Sequence, residues 1–210
     1  MKRILLGTAL CALGAAHAAL AADDTGAWYI SPMAQWTLLN QHRTAEDGAG
    51  FQVGLGWNVA ENWAMEAAIS QASFEASNGG QLKLSQYSLD FIRKFSPLPE
   101  SHIKPYLLFG LGGMDDRLTG ASRASGLIGE VGAGLLWNLG PFNTSQRLAI
   151  RTEAKYRRYD GTTPSGMSNA GDTIFGVGLQ YMWGLPVAAA PTPPPPPPPA
   201  TISTPAVFAG

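Results

Sequence analysis

The sequence carries one cysteine, Cys11, and it lies inside an N-terminal apolar segment. A chain that loses this segment has no thiol for a disulfide, a nucleophile or a metal. Leu10, just before Cys11, is too large for the usual lipoprotein cleavage pattern, so no lipid anchor is expected. Charge is also scarce: charged residues make up 14% of the chain, against about 25% in a soluble domain. Something other than water must solvate part of this surface. The 14 basic and 15 acidic residues nearly balance, and without Lys2 and Arg3 the remaining 12 basic residues leave a formal charge of −3. That balance excludes nucleic acid as an expected partner. Beyond the first segment there is no run of about 18 apolar residues, the length a membrane helix needs. A helical membrane protein is thereby excluded, and a closed β-barrel remains as the way to satisfy every backbone group in lipid.

Both ends have a character of their own. Met1-Lys2-Arg3 followed by Ile4 to Leu13 is a charged start and a short apolar stretch, the pattern of a secretory signal. Ala19-Leu20-Ala21 offers small side chains where a signal peptidase reads, placing cleavage after Ala21, with Ala16-His17-Ala18 as the alternative. The signal is therefore 1–21 and the folded domain 22–185. Residues 186–210 hold the unbroken Pro193 to Pro199 tract, an extended polyproline segment that cannot join a sheet. They are expected to be a disordered periplasmic tail.

Between these ends the apolar residues alternate. Phe51-Gln52-Val53-Gly54-Leu55-Gly56-Trp57-Asn58-Val59 puts its large apolar side chains on one face and Gln, Gly or Asn on the other. In the segment from Thr173 to Trp183, Phe175, Val177, Leu179, Tyr181 and Trp183 share a face. Glycine on the opposite face suits the crowded interior of a narrow barrel, whose lumen at about eight strands is just filled by side chains. Similar segments run over Trp28 to Leu39, Trp63 to Glu75, Leu82 to Phe95, Pro105 to Met114, Gly126 to Leu139 and Arg147 to Tyr159. The expected fold class is all-β, an eight-stranded antiparallel up-and-down transmembrane β-barrel. The connections 60–62, 96–103 and 140–146 should be periplasmic, and 40–50, 76–80, 115–125 and 160–171 extracellular.

Aromatic belts mark membrane interfaces. Trp28, Trp57, Trp63, Trp137 and Trp183 all fall at strand ends assigned to the periplasmic rim, and only Trp36 lies toward the outer rim. A soluble core would place tryptophans mid-strand as often as at ends.

The last strand, with Gly178, Tyr181 and Trp183, resembles the assembly signal of outer-membrane barrels, and Lys104-Pro105-Tyr106 through Met114 resembles an OmpA-type strand. The proline tract stands where that family links its barrel to a peptidoglycan-binding domain. The resemblance covers signal, barrel and linker, and implies a Gram-negative outer-membrane protein handled by periplasmic chaperones and the barrel-assembly machinery. The family's globular domain has no counterpart before Gly210, so peptidoglycan binding is not carried over. A barrel-only relative and a truncated gene both remain open.

Strand parity turns Glu66, Asp90, Glu130, Arg151, Glu153, Lys155 and Arg157 into the lumen. Buried charges must pair. The hairpin centred near Asn78 sets Glu66 opposite Asp90, a repulsive pair, so Arg151 or Lys155 is expected to reach them. The hairpin near Asn143 sets Glu130 level with Lys155 or Arg157. Such a network either holds the lumen shut or gates a narrow, low-conductance pore.

Other chemistry finds little support. His42, near Thr44, Glu46 and Asp47, and His102, beside Ser101, lack the serine and carboxylate placement of a hydrolase. Two separated histidines offer no metal-ligand spacing. Asp115-Asp116 can hold calcium weakly, but Arg117 beside them reads as an ordinary charged loop. Gly110 to Gly113 and Gly132 to Gly134 sit inside strands with no following helix, so they pack a lumen and do not cradle a phosphate. Ala121-Ser122-Arg123 and Thr162-Thr163-Pro164-Ser165 are exposed loop segments from which no ligand can be read. The reading is a monomeric, non-enzymatic barrel without catalytic, cofactor or metal site, held in outer-membrane lipid and lipopolysaccharide and contributing to envelope integrity. A gated pore, or adhesion through the outer loops, is the alternative.

Overall fold

The computed structural model describes residues 24–39, 47–75, 80–98, 101–118, 123–143, 145–160 and 171–185. The leader 1–21, the tail 186–210, His42 and the segments 121–122 and 162–165 lie outside the described residues. Eight strands follow one another: β1 (Trp28–Leu38), β2 (Gly48–Ala60), β3 (Trp63–Glu75), β4 (Gln81–Lys94), β5 (Ile103–Leu118), β6 (Arg123–Asn143), β7 (Gln146–Asp160) and β8 (Gly171–Trp183). Each pairs antiparallel with the next, and β1 pairs with β8, so the sheet closes into the expected eight-stranded barrel without a free edge.

The alternation read from the sequence becomes two surfaces. The outward one is apolar: Leu111 and Leu127 are 72% and 70% exposed, and Ile69 on β3, Phe109 on β5, Val131 on β6 and Val177 on β8 face outward as well. Such a continuous apolar band is a hazard in water and the natural surface in lipid. The inward one is filled at three levels. Tyr29, Ile92, Tyr106, Leu108, Leu136 and Met182 form an apolar layer at the end near the chain termini. Leu39, Phe74, Leu82, Leu84, Met114, Ile128 and Tyr159 form a second at the far end. Charged and amide side chains lie between them.

Glycines make the packing possible where a bulky ring crosses to the next strand. Tyr29 lies opposite Gly56 and Tyr106 opposite Gly134, and a Cβ on either glycine would run into the tyrosine ring. Tyr87 covers Gly113 in the same way on the outer face. Covering a strand glycine with a cross-strand ring restores the packing that the glycine lacks.

Two expectations need correction. The segment 115–125, expected as a loop, is mostly ladder: Asp115 pairs in register with Ser125, Asp116 with Ala124 and Arg117 with Arg123. Asp115, Asp116 and Arg117 therefore belong to β5, and Asp116 is turned inward and fully buried. The apolar alternation stops at Leu111 because the strands leave lipid there, while their backbone pairing continues into water. At the other end β6 runs on to Asn143 through two register shifts, one at Gly140, whose φ of 112° fits a bulge that favours glycine. The connection expected at 140–146 shrinks to the residues between Asn143 and Gln146.

Candidate functional site

One row of ladder partners explains how the lumenal charges meet. Starting at Tyr29 on β1, the register runs through Gly56, Glu66, Asp90, Gly110, Glu130 and Arg157 to Asp172 on β8. Barrel strands are tilted, so this row climbs the lumen from the end near the termini to the opposite end. Glu66 does stand directly across from Asp90.

Arg151 from β7 reaches across the lumen to this row. Its Nη1 donates to Glu66 Oε2 and to Ser31 Oγ (3.1 Å), its Nη2 donates to Glu153 Oε2 (2.7 Å), and its Nε donates to the Tyr106 hydroxyl (3.0 Å). The guanidinium also sits 5.3 Å from the Tyr106 ring centre. Tyr106 in turn donates to Glu153 Oε2 at 2.9 Å. A planar guanidinium serves two carboxylates at once in a way that a lysine ammonium does not.

The network continues toward the far end. Lys155 Nζ donates to Gln52 Oε1 at 2.9 Å and lies 3.3 Å from Glu153 Oε1 and 3.5 Å from Glu130 Oε1. Gln86 donates to Glu130 Oε2 (3.0 Å) and accepts from Arg157 Nη1 (2.6 Å), and Arg157 Nη2 donates to Asp172 Oδ2 (2.9 Å). Glu66, Arg151, Glu153, Lys155, Glu130, Gln86, Arg157 and Asp172 thus form one connected chain. Arg157 faces Glu130 in register, yet its ion partner is Asp172. Asp90 stands apart, with no hydrogen bond to either oxygen among the described residues.

Several members were missed at the sequence level. Asp172 precedes Thr173, where the apolar alternation of the last strand begins, although β8 itself starts at Gly171. Tyr106, Ser31, Gln52 and Gln86 carry no formal charge and gave no signal beyond parity. Lys94 shares the parity of Asp90 and, like it, is buried. It closes the end near the termini, donating to Asp24 Oδ2 (2.8 Å) and Asn58 Oδ1 (2.9 Å). Two cavities near Lys94 and Arg151 measure about 10 Å³ each, no more than the space of one water.

The remaining sequence-selected residues lie on the wall. Trp28 stacks on Trp57 (6.0 Å between ring centres) and pairs in register with Trp183, which stacks on Tyr181. Arg93 lies over Trp63 at 5.1 Å, and Trp137 pairs with Ile103. Trp36 stands toward the other end, 49% exposed. Gly178 sits at the β1–β8 seam opposite Met33, where a Cβ would meet the Pro32 carbonyl and the Met33 backbone. Ser101 and His102 serve a turn: the Ser101 hydroxyl donates to the Leu98 carbonyl, and the His102 carbonyl accepts from the Asn138 amide.

A closed eight-stranded wall with an apolar exterior and a polar, filled interior is the architecture of an outer-membrane barrel, and residues 7–182 match the family described as outer membrane protein beta-barrel domain. The chain belongs to this outer-membrane β-barrel family. Its members are placed in the Gram-negative outer membrane, and that location holds for this barrel. Among solved structures it is similar to Neisserial surface protein A, at 15% identity and a TM-score of 0.61, covering 74% of this chain and 97% of that one. It is also similar to Ail, the attachment invasion locus protein of Yersinia pestis, at 16% identity and a TM-score of 0.48, covering 76% and 99%. The N-terminal barrel domain of OprF from Pseudomonas aeruginosa matches at 17% identity and a TM-score of 0.44, covering 76% and 98%. No curated protein matches the sequence. These likenesses concern the barrel fold.

Proposed function

We propose that this outer-membrane barrel is a closed structural element that contributes to envelope integrity. The observation that carries this reading is the three-level filling of the lumen, with Arg151 tying Glu66 to Glu153 between two apolar layers. A charge network locked between apolar layers opposes the passage of ions, which supports this reading. In this reading the leader is removed after Ala21, periplasmic chaperones and the barrel-assembly machinery deliver the chain, and Gly178, Tyr181 and Trp183 serve as its assembly signal. The barrel then stands as a non-enzymatic monomer among outer-membrane lipid and lipopolysaccharide, its proline-rich tail in the periplasm and its periplasmic rim marked by Trp28, Trp57, Trp63, Trp137 and Trp183.

A second reading, a low-conductance pore, is favoured by one feature: Arg151 already holds two carboxylates, so partner exchange needs no new cation. Single-channel recording of the refolded barrel in a planar bilayer separates the two, with a heat-modifiability gel to confirm folding. Silence from a folded barrel supports the structural reading. Discrete openings that vanish when Glu130 or Arg151 is neutralised overturn it in favour of the pore.

A further inference from the structure

The polar middle of the described lumen holds five acids, Glu66, Asp90, Glu130, Glu153 and Asp172, against three bases, Arg151, Lys155 and Arg157. The bases are committed: Arg151 to Glu66 and Glu153, Lys155 to Glu153 and Glu130, and Arg157 to Asp172. Asp90 is fully buried, and neither of its oxygens receives a hydrogen bond.

The carboxyl that flanks Asp90 across Gly110 is that of Glu130: a Cβ on Gly110 would run into Asp90 Oδ1 and lie 3.0 Å from Glu130 Cγ. Gly110 lies between them in the row and brings no side chain. The other charged groups facing Asp90 are Glu66 across from it on β3 and Lys155 from β7. Two carboxylates can only accept, so a hydrogen bond between them requires a proton. Two like charges at such range do not both persist in a low-dielectric site.

We propose that the lumen contains a proton-binding site in which Asp90 and Glu130 share a single proton across Gly110. The shared proton turns the contact into an O–H···O⁻ hydrogen bond and removes one of the lumen's excess negative charges. It needs no cavity, which suits the close approach over Gly110, and among the described residues no group of three or more acidic or histidine side chains is placed to hold a metal ion.

Infrared spectroscopy of the folded barrel at neutral pH tests this through the carbonyl stretch of a protonated carboxylic acid, with folding checked by heat modifiability. The expected result is one such band in the native protein, lost in Asp90→Asn and lost in Glu130→Gln, because either change leaves a lone carboxyl facing an amide donor. Glu153→Gln should retain the band. Loss in whichever of the first two variants folds supports the site. A native spectrum without the band overturns the proposal, as does a band that survives both substitutions. A band that appears only after treatment with a chelator also overturns it, since a metal ion would then occupy the site.

Discussion

The Nη1 of Arg151 donates to the carboxylate of Glu66, joining residues 85 positions apart from strands on opposite sides of the barrel. Both are at most 1% exposed, so neither water nor salt can replace the partner. Arg151→Ala would leave Glu66 and Glu153 buried with one cation fewer. The expected loss is about 3–5 kcal/mol of barrel stability, read from urea titration of the folded fraction in lipid vesicles. Arg151→Lys should recover only part of it, because an ammonium cannot hold both carboxylates in the same fork.

Gly56 sits beneath the ring of Tyr29. Gly56→Ala should destabilise by about 1–3 kcal/mol through overpacking. A double-mutant cycle with Tyr29→Ala should show favourable coupling, the second change removing the clash that the first creates. Additive effects would mean that the ring does not lie over the glycine.

Lys94 is held by Asp24 and Asn58 at the end near the termini. Lys94→Met leaves Asp24 as a buried acid without its cation, and should cost about 3 kcal/mol or more. Lys94→Met combined with Asp24→Asn should recover part of that. The readout is urea stability together with proteolysis of the segment before Trp28, which should become faster in the single variant.

Leu107 faces outward on β5, midway between the rim at Ile103 and the last outward leucine, Leu111, and is 50% exposed. Leu107→Arg should cost about 2–4 kcal/mol in a bilayer, whereas Ser85→Arg toward the outer end should cost about 0–1 kcal/mol. Equal costs at the two sites would contradict the depth assigned to them.

The sequence made the strand count and the inward set readable because a membrane barrel has a strict two-residue period with apolar solvent on one side. Glu66, Asp90, Glu130, Arg151, Glu153, Lys155 and Arg157 all face inward by that parity, and all are buried. It was less informative where the apolar solvent ends. Asp115, Asp116 and Arg117 look like loop residues because water reaches the outward face there, although the ladder continues. Pairing was also only partly legible. Register placed Glu66 across from Asp90, but which acids Arg151 would hold depends on reach across the lumen, which no local pattern encodes. The role of Tyr106 depends on Gly134 opposite it, a relationship that follows from register and not from either residue alone.

The climbing row from Tyr29 to Asp172 bears on how the barrel finds its closure. A slip of one residue in any hairpin reverses every side chain of the displaced strand. For β7 such a slip would carry Arg151, Glu153, Lys155 and Arg157 together out to the acyl chains, and each arginine or lysine so exposed near the midplane costs about 2–4 kcal/mol. The lumenal charges thus act as a proofreading code for assembly: a barrel slipped by one residue turns them to the acyl chains and is rejected by the lipid itself.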